Sequence, residues 1–220
     1  MIKAARRKQD LVIVGGGGLG REVLWLAQDS AERWNVIGVL DDAEDLRRQT
    51  LCSIPVLGPV ADWKKHAKAN FVIAIGAPRA RRAVEAKMST AGTPRFATLI
   101  HPSVRMSRFV EIGEGSIVAA GCILTTQIRI GRHNILDRMV NVAHDCVLGD
   151  FCTVSPLVPI GGNVTLDEGV WVGAGASVRH GGRMGSGSMA GMGAVVVKDV
   201  EPNQLVVGNP AKVLKQLEPF

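Results

Sequence analysis

His144 and Asp145 stand side by side in VNVAHDCVLGDF (140–151), surrounded mostly by Val, Ala, Cys, Leu and Gly. An imidazole beside a carboxylate is the arrangement of a general base. The carboxylate orients the ring and stabilises the imidazolium that forms when the ring takes a proton. A second set of residues points to phosphate. In VGGGGLGREV, Gly15, Gly17 and Gly20 have the GxGxxG spacing between a strand-like run and a helix-like run, and Asp41 follows at the end of the next apolar run. Glycines let backbone amides approach an anion, and the N-terminus of the helix favours negative charge. The same spacing suits a dinucleotide such as NAD, but the α/β half is short and holds no second mononucleotide unit.

The elements that must position these residues fall into two textures. Strand-like runs at 11–14, 35–42 and 71–76 alternate with helix-like runs at 20–30, 59–68 and 78–88, and FATLI (96–100) closes the series. This alternation predicts a parallel sheet with flanking helices. Arg79, Arg81 and Arg82 begin the last helix, where a solvated helix face is expected and phosphate contact at the strand edge is the alternative.

After Pro102 an apolar residue recurs every six positions without a slip, from Met106 through Val142 to Val196, and the sites two residues earlier are mostly small or β-branched. Neither the helical period of 3.6 nor the strand period of 2 gives this pattern, whereas a hexapeptide repeat does, and it marks a parallel β-helix. Three hexapeptides make one triangular coil, so residues eighteen apart stack on one another. The expected division is a Rossmann-like domain over 1–100 and a β-helix over 101–220.

This frame places the histidine. Val142 points inward, so His144, two positions on, turns outward at a corner. One coil further along the same column is Gly162, about 4.8 Å away by strand spacing. A base beside an accessible backbone N–H is what acyl transfer requires. His180 falls on the same column, while Ala174 and Met192 share a different one. Cys122, Cys146 and Cys152 occupy small inward sites. His66, His101 and His133 have no comparable neighbours and read as structural.

These residues carry a family resemblance. Residues 102–199 resemble the left-handed β-helix of hexapeptide acyltransferases, and VVGNPAKVL (206–214) resembles the segment that closes those enzymes near bound acetyl-CoA. A small nucleotide-binding half followed by this β-helix resembles the branch that holds the sialic-acid O-acetyltransferases and the bacterial nucleotide-sugar N-acetyltransferases. HDCVLGDF (144–151) matches the motif bearing their catalytic histidine.

The resemblance implies an acetyl-CoA-dependent N-acetyltransferase acting on a nucleotide-linked amino sugar, with a 4-amino sugar expected, by direct transfer and without a metal. His144 would be the base, a contribution of about 10²–10⁴ in rate. Asp145 would orient its ring, and the Gly162 N–H would hold the thioester oxygen, worth roughly 3 kcal/mol. Gly16, Gly17, Gly18, Gly20 and Gly76 would hold the acceptor with Asp41 and Asp42 at its nucleotide end. Gly162, Ala174, His180, Met192 and Lys212 would line the coenzyme groove. A cytoplasmic homotrimer with CoA between subunits is implied. The chain departs from the pattern at Leu19, where the family often has His, at Thr153 in place of a second His, and at Asp137 in place of an Asn, with Asn141 a candidate substitute. O-acetylation of a sugar, as on a sialic acid, stays open, as does a non-catalytic nucleotide-sugar sensor on an inert β-helix.

Composition narrows the classes further. Aromatics make up 4% of the chain and Tyr is absent, which argues against a stacking surface for single-stranded nucleic acid. A net charge of +6 suits anionic ligands. The four Cys show no zinc spacing and read as reduced thiols. The opening MIKAARRKQDLVIVGGGG is too short and Gly-rich in its apolar run for a signal peptide, and no run approaches a membrane span.

Overall fold

In the computed structural model, which describes residues 8–220, Leu11 to Val14 are shielded on every side. Burial of both faces is the fate of a central strand in a parallel sheet. β1 (Gln9–Val14) lies between β2 (Trp34–Leu40) and β5 (Asn70–Ile73), both parallel to it. β4 (Ile54–Gly58) extends the sheet beyond β2, and β3 (Thr50–Leu51) pairs antiparallel with β4 to form the edge. The basic opening residues 1–7, part of the segment weighed above as a leader, lie outside the described residues.

One local reading changes, and one element carries no sequence signal. The run predicted as a helix at 59–68 is a tighter 3₁₀ run, Val60–His66, that follows Pro59 and buries Trp63. The β3–β4 hairpin has no Gly or Asn at its turn. Cys52 and Ser53 take it with φ of 49° and 67°, so the usual turn signal is missing. The helices α1 (Gly18–Asp29) and α2 (Pro78–Ala91) fall where the pattern put them.

From Leu99 the chain winds into three parallel sheets, the faces of a triangular prism. FATLI is divided between the two halves: Phe96 bridges to Phe71, while Leu99–Ile100 pairs with Ile117–Val118 as the first strand of the prism. The first face continues through Ile135–Leu136, Thr153–Val154 and Trp171–Val172. The second contains Ile123–Leu124, Asn141–Val142 and Pro159–Ile160. The third contains Ile128–Ile130, Val147–Leu148 and Thr165–Leu166. Each of these pairings joins residues eighteen apart.

The inward residues from Val118 to Val196 are all buried. Each Val, Leu, Ile or Met among them contributes about 1.5–3 kcal/mol of hydrophobic burial, which only stacked coils can realise. Met106, counted among the inward positions, is 46% exposed because its strand opens the second face with no coil before it. At each corner one residue adopts a left-handed backbone, for example His133, Met139 and Asp145 on consecutive corners, with φ of 54°, 59° and 59°.

The α/β half sits on the first face. Val23 and Leu26 of α1 share a core with Ile117 and Ile135. The Glu22–Arg138 ion pair (2.5 Å) and a hydrogen bond between Asp29 and His101 (3.0 Å) flank that contact. Arg81 enters from α2 and is fully buried against the corner between the third and first faces. The solvated helix face expected for it is therefore wrong at this residue.

Candidate active site

His144 occupies the corner between the second and third faces, the one opposite the face that carries the α/β half. Asn141–Val142 ends the second face just before it, and Val147–Leu148 begins the third just after. The turn needs a left-handed residue, and Asp145 supplies it, a conformation in which Asp is enriched. That backbone brings the Asp145 carboxylate back to the ring, with Nδ1 and Oδ2 2.7 Å apart. Both side chains are half exposed. With Nδ1 engaged by the carboxylate, Nε2 is the nitrogen left to take a proton.

Gly162 lies directly beneath the ring. A Cβ there would sit 2.7 Å from both Cε1 and Nε2 of His144, so only glycine leaves room for the imidazole. The stacking is fixed by the backbone, since Asn163 N–H donates to His144 O at 2.8 Å and Gly181 N–H to Gly162 O at 2.8 Å. Among the described residues no group accepts from the Gly162 N–H. The missing side chain also lets His180 approach from the next coil, its ring centroid 6.1 Å from that of His144. The Cys146 thiol points inward and donates to Gly161 O at 3.1 Å, and burial raises its pKa.

The other residues expected to line the coenzyme groove are elsewhere on the prism. Ala174 and Met192 stack at the corner between the first and second faces, with Gly193 N–H donating to Ala174 O, and Met192 is fully open to solvent at 81%. Lys212 lies on the exposed strand Lys212–Gln216 that ends the first face. One chain does not bring these three to His144.

The glycine-rich turn has the form of an anion cradle. Gly15 takes φ of 105° and donates to Leu40 O, and a Cβ on Gly20 would run into Gly15 O, so helix and strand pack closely only with glycine there. Gly17 and Gly18 face open space. α1 starts with no side-chain cap and no acid in its first turn, leaving the amides of Gly18, Leu19 and Gly20 for an anion.

Four of the expected acceptor residues are partly committed within the protein. Gly16 N–H donates to Asp41 Oδ2 at 2.6 Å, and Ala43 N–H to Asp41 Oδ1 at 2.7 Å. Asp42 accepts from Val60 N–H and pairs with Lys87 at 3.3 Å. The Gly76 carbonyl faces the β-helix, where the Thr153 hydroxyl donates to it at 2.7 Å.

Asp137 and Thr153, where the chain departs from the family pattern, both lie on the side of the α/β half and away from their own His144. Asp137 lines a pocket with Leu19, Glu22, Trp25 and Arg138 between α1 and the β-helix, and burial pushes its carboxyl above the usual range. Asn141 is exposed on the second face. Among the described residues no group of three or more His, Cys, Asp and Glu is placed to hold a metal ion, and no helix is long and apolar enough to cross a membrane.

Residues 10–88 match the PglD N-terminal domain. Over 93% of its length the chain is 31% identical to 96% of the GDP-perosamine N-acetyltransferase of Escherichia coli. The chain belongs to the family of bacterial nucleotide-sugar N-acetyltransferases. The structures agree with this membership. PerB from Caulobacter crescentus, in complex with CoA and GDP-perosamine, superposes with a TM-score of 0.85 at 30% identity over 94% of this chain and 97% of that one. The acetyltransferase domain of PglB from Neisseria gonorrhoeae, in complex with acetyl coenzyme A, gives a TM-score of 0.75 at 30% identity over 94% of this chain and all of that one. The prism is accordingly the left-handed β-helix of these acyltransferases.

Proposed function

We propose that this protein transfers an acetyl group from acetyl-CoA to the amine of a nucleotide-linked amino sugar. The observation that carries the reading is the His144–Asp145 pair standing over Gly162 at an open corner. His144 Nε2 takes the proton of the amine as nitrogen attacks the thioester carbon. Asp145 holds Nδ1–H and stabilises the imidazolium. The Gly162 N–H receives the carbonyl oxygen as it gains negative charge, an interaction worth roughly 3 kcal/mol for one donor. Collapse of the tetrahedral intermediate expels CoA thiolate, which leaves as the thiol. No covalent enzyme intermediate is required.

The acceptor's diphosphate lies at the N-terminus of α1 over Gly17, Gly18 and Gly20, and its amino sugar extends toward a histidine of another chain. That last step follows from the prism: His144 is the corner opposite the face on which its own α/β half sits. A homotrimer brings the cradle of one chain to His144 of the next. It also lets Ala174, Met192 and Lys212 line the coenzyme groove from a chain other than the one whose His144 and His180 they face. GDP-perosamine, the sugar bound by the Caulobacter relative, is the first acceptor to try.

The reading is tested by free-thiol release from acetyl-CoA against a panel of nucleotide-linked 4-amino sugars, with the product weighed by mass spectrometry. Release with one amine acceptor and a gain of one acetyl group supports it. CoA binding without release on any amine, but with release on a hydroxyl acceptor, replaces it with O-acetylation. Absence of CoA binding replaces it with the sensor.

A further inference from the structure

Arg81 is the largest fully buried side chain among the described residues, and no carboxylate pairs with it. Burial brings its pKa down to about 9, so the group stays charged at neutral pH. A lone buried cation is costly unless every donor is matched. Here each is. Nε donates to His133 O at 2.8 Å. Nη1 donates to Ile75 O at 2.5 Å and Gly76 O at 3.0 Å. Nη2 donates to Phe151 O at 2.7 Å, Cys152 O at 3.1 Å and Thr153 Oγ1 at 2.9 Å.

These acceptors divide into two groups. Ile75 and Gly76 form the loop between β5 and α2. His133 and the stretch Phe151–Thr153 belong to two successive coils, and the His133 ring stacks on Phe151 with centroids 5.2 Å apart. The loop in turn backs the glycine-rich turn. A Cβ on Gly15 would meet Ala74 O and Ile75 Cγ1, both at 3.0 Å, and Gly76 lies against the Leu19 side chain.

We infer that Arg81 is a positioning residue for the acceptor: it pins the loop behind the phosphate cradle to the β-helix and so fixes where the nucleotide sugar is presented. The inference rests on the acyl-transfer reading given above. An arginine is required because five donors in a rigid plane reach both groups at once, whereas a lysine ammonium has three on a flexible stem. Thr153 shares the task, since its hydroxyl donates to Gly76 O while accepting from Arg81.

The test uses the full chain with Arg81→Lys and the milder Thr153→Val. Hydrogen–deuterium exchange over residues 15–20 and 74–79 is followed alongside steady-state kinetics with the acceptor the wild type turns over. Arg81→Lys is expected to speed exchange in both segments and raise acceptor KM about tenfold or more, the worth of one lost charge-assisted hydrogen bond. CoA affinity stays within about twofold, because no CoA residue changes. Thr153→Val should shift the same quantities in the same direction by less. Unchanged exchange at 15–20 in both variants would overturn the inference. So would a lowered melting temperature with acceptor KM unaltered, which is the result for a residue that only joins the two halves. The exchange readout does not depend on turnover, so a wild type inactive on every acceptor would count against the acyl-transfer reading and leave the pinning separately decided.

Discussion

Two histidines sit at corners of the same prism and meet opposite fates. His133 is fully buried at the corner between the third and first faces, stacked on Phe151 and met edge-on by Phe96. Burial holds its pKa down at about 4, with the Arg132 and Arg81 charges adding to the effect. His144 stands half exposed at the corner between the second and third faces, with Asp145 on one nitrogen and a glycine beneath it. The repeat gives both residues an outward place. What differs is the cover: the α/β half closes one corner and leaves the opposite one open. A histidine under cover stays neutral and packs, whereas one in the open with a carboxylate beside it can take and give a proton.

The largest effect expected on this contrast is at the open corner. His144→Ala should lower kcat/KM by about 10²–10⁴, the usual worth of a general base, with an unchanged melting curve because the side chain is half exposed. A variant that loses stability as well would blur the distinction. The closed corner should respond to acid instead. The unfolded chain binds a proton at His133 near pH 6.5 and the folded chain only near 4, so in that window the unfolded state holds more protons and stability falls as pH falls. The full loss, about 3 kcal/mol, is reached below pH 4. The wild-type urea midpoint should fall relative to that of His133→Phe between pH 7 and 4 if this is right, and the two should run parallel if His133 titrates normally.

Gly18→Asp comes next. It places a carboxylate in open space at the start of α1, where it suits the helix dipole but opposes a phosphate. Its kcat/KM for the acceptor should fall about ten- to a hundredfold, as like charges brought together cost a few kcal/mol, while melting stays level or rises. The smallest effect belongs to Gly162→Ala, whose Cβ would sit 2.7 Å from the His144 ring and force it to shift. A fall in kcat of about tenfold is expected from a misplaced base, with CoA affinity intact by titration.

The β-helix was legible in the sequence because a period of six over so many sites has one structural reading. The same arithmetic put Gly162 and His180 beside His144, since stacking at eighteen is a property of the repeat. The β3–β4 hairpin was not legible, because Cys52 and Ser53 carry no turn signal. Arg81 was misread for a different reason. Its neighbours Arg79 and Arg82 lie over the Phe220 ring at the surface, and nothing local marks the middle residue of RARR as buried. Its partners on the β-helix are 52 to 72 residues away. Contacts made across the seam between two folding units leave no periodic trace. Contacts between residues distant in sequence also hid the commitment of Asp41 to the Gly16 amide within the α/β half.

The central claim is that the cradle of one chain serves the open corner of another. Complementation tests it most directly. His144→Ala and Gly18→Asp chains, each deficient alone, are co-expressed and the mixed oligomers assayed for thiol release. The account predicts recovery to about a quarter of the wild-type rate, the share of head-to-tail interfaces that unite two intact halves. Mixed oligomers no more active than the parents would contradict it, because cradle and base would then belong to the same chain.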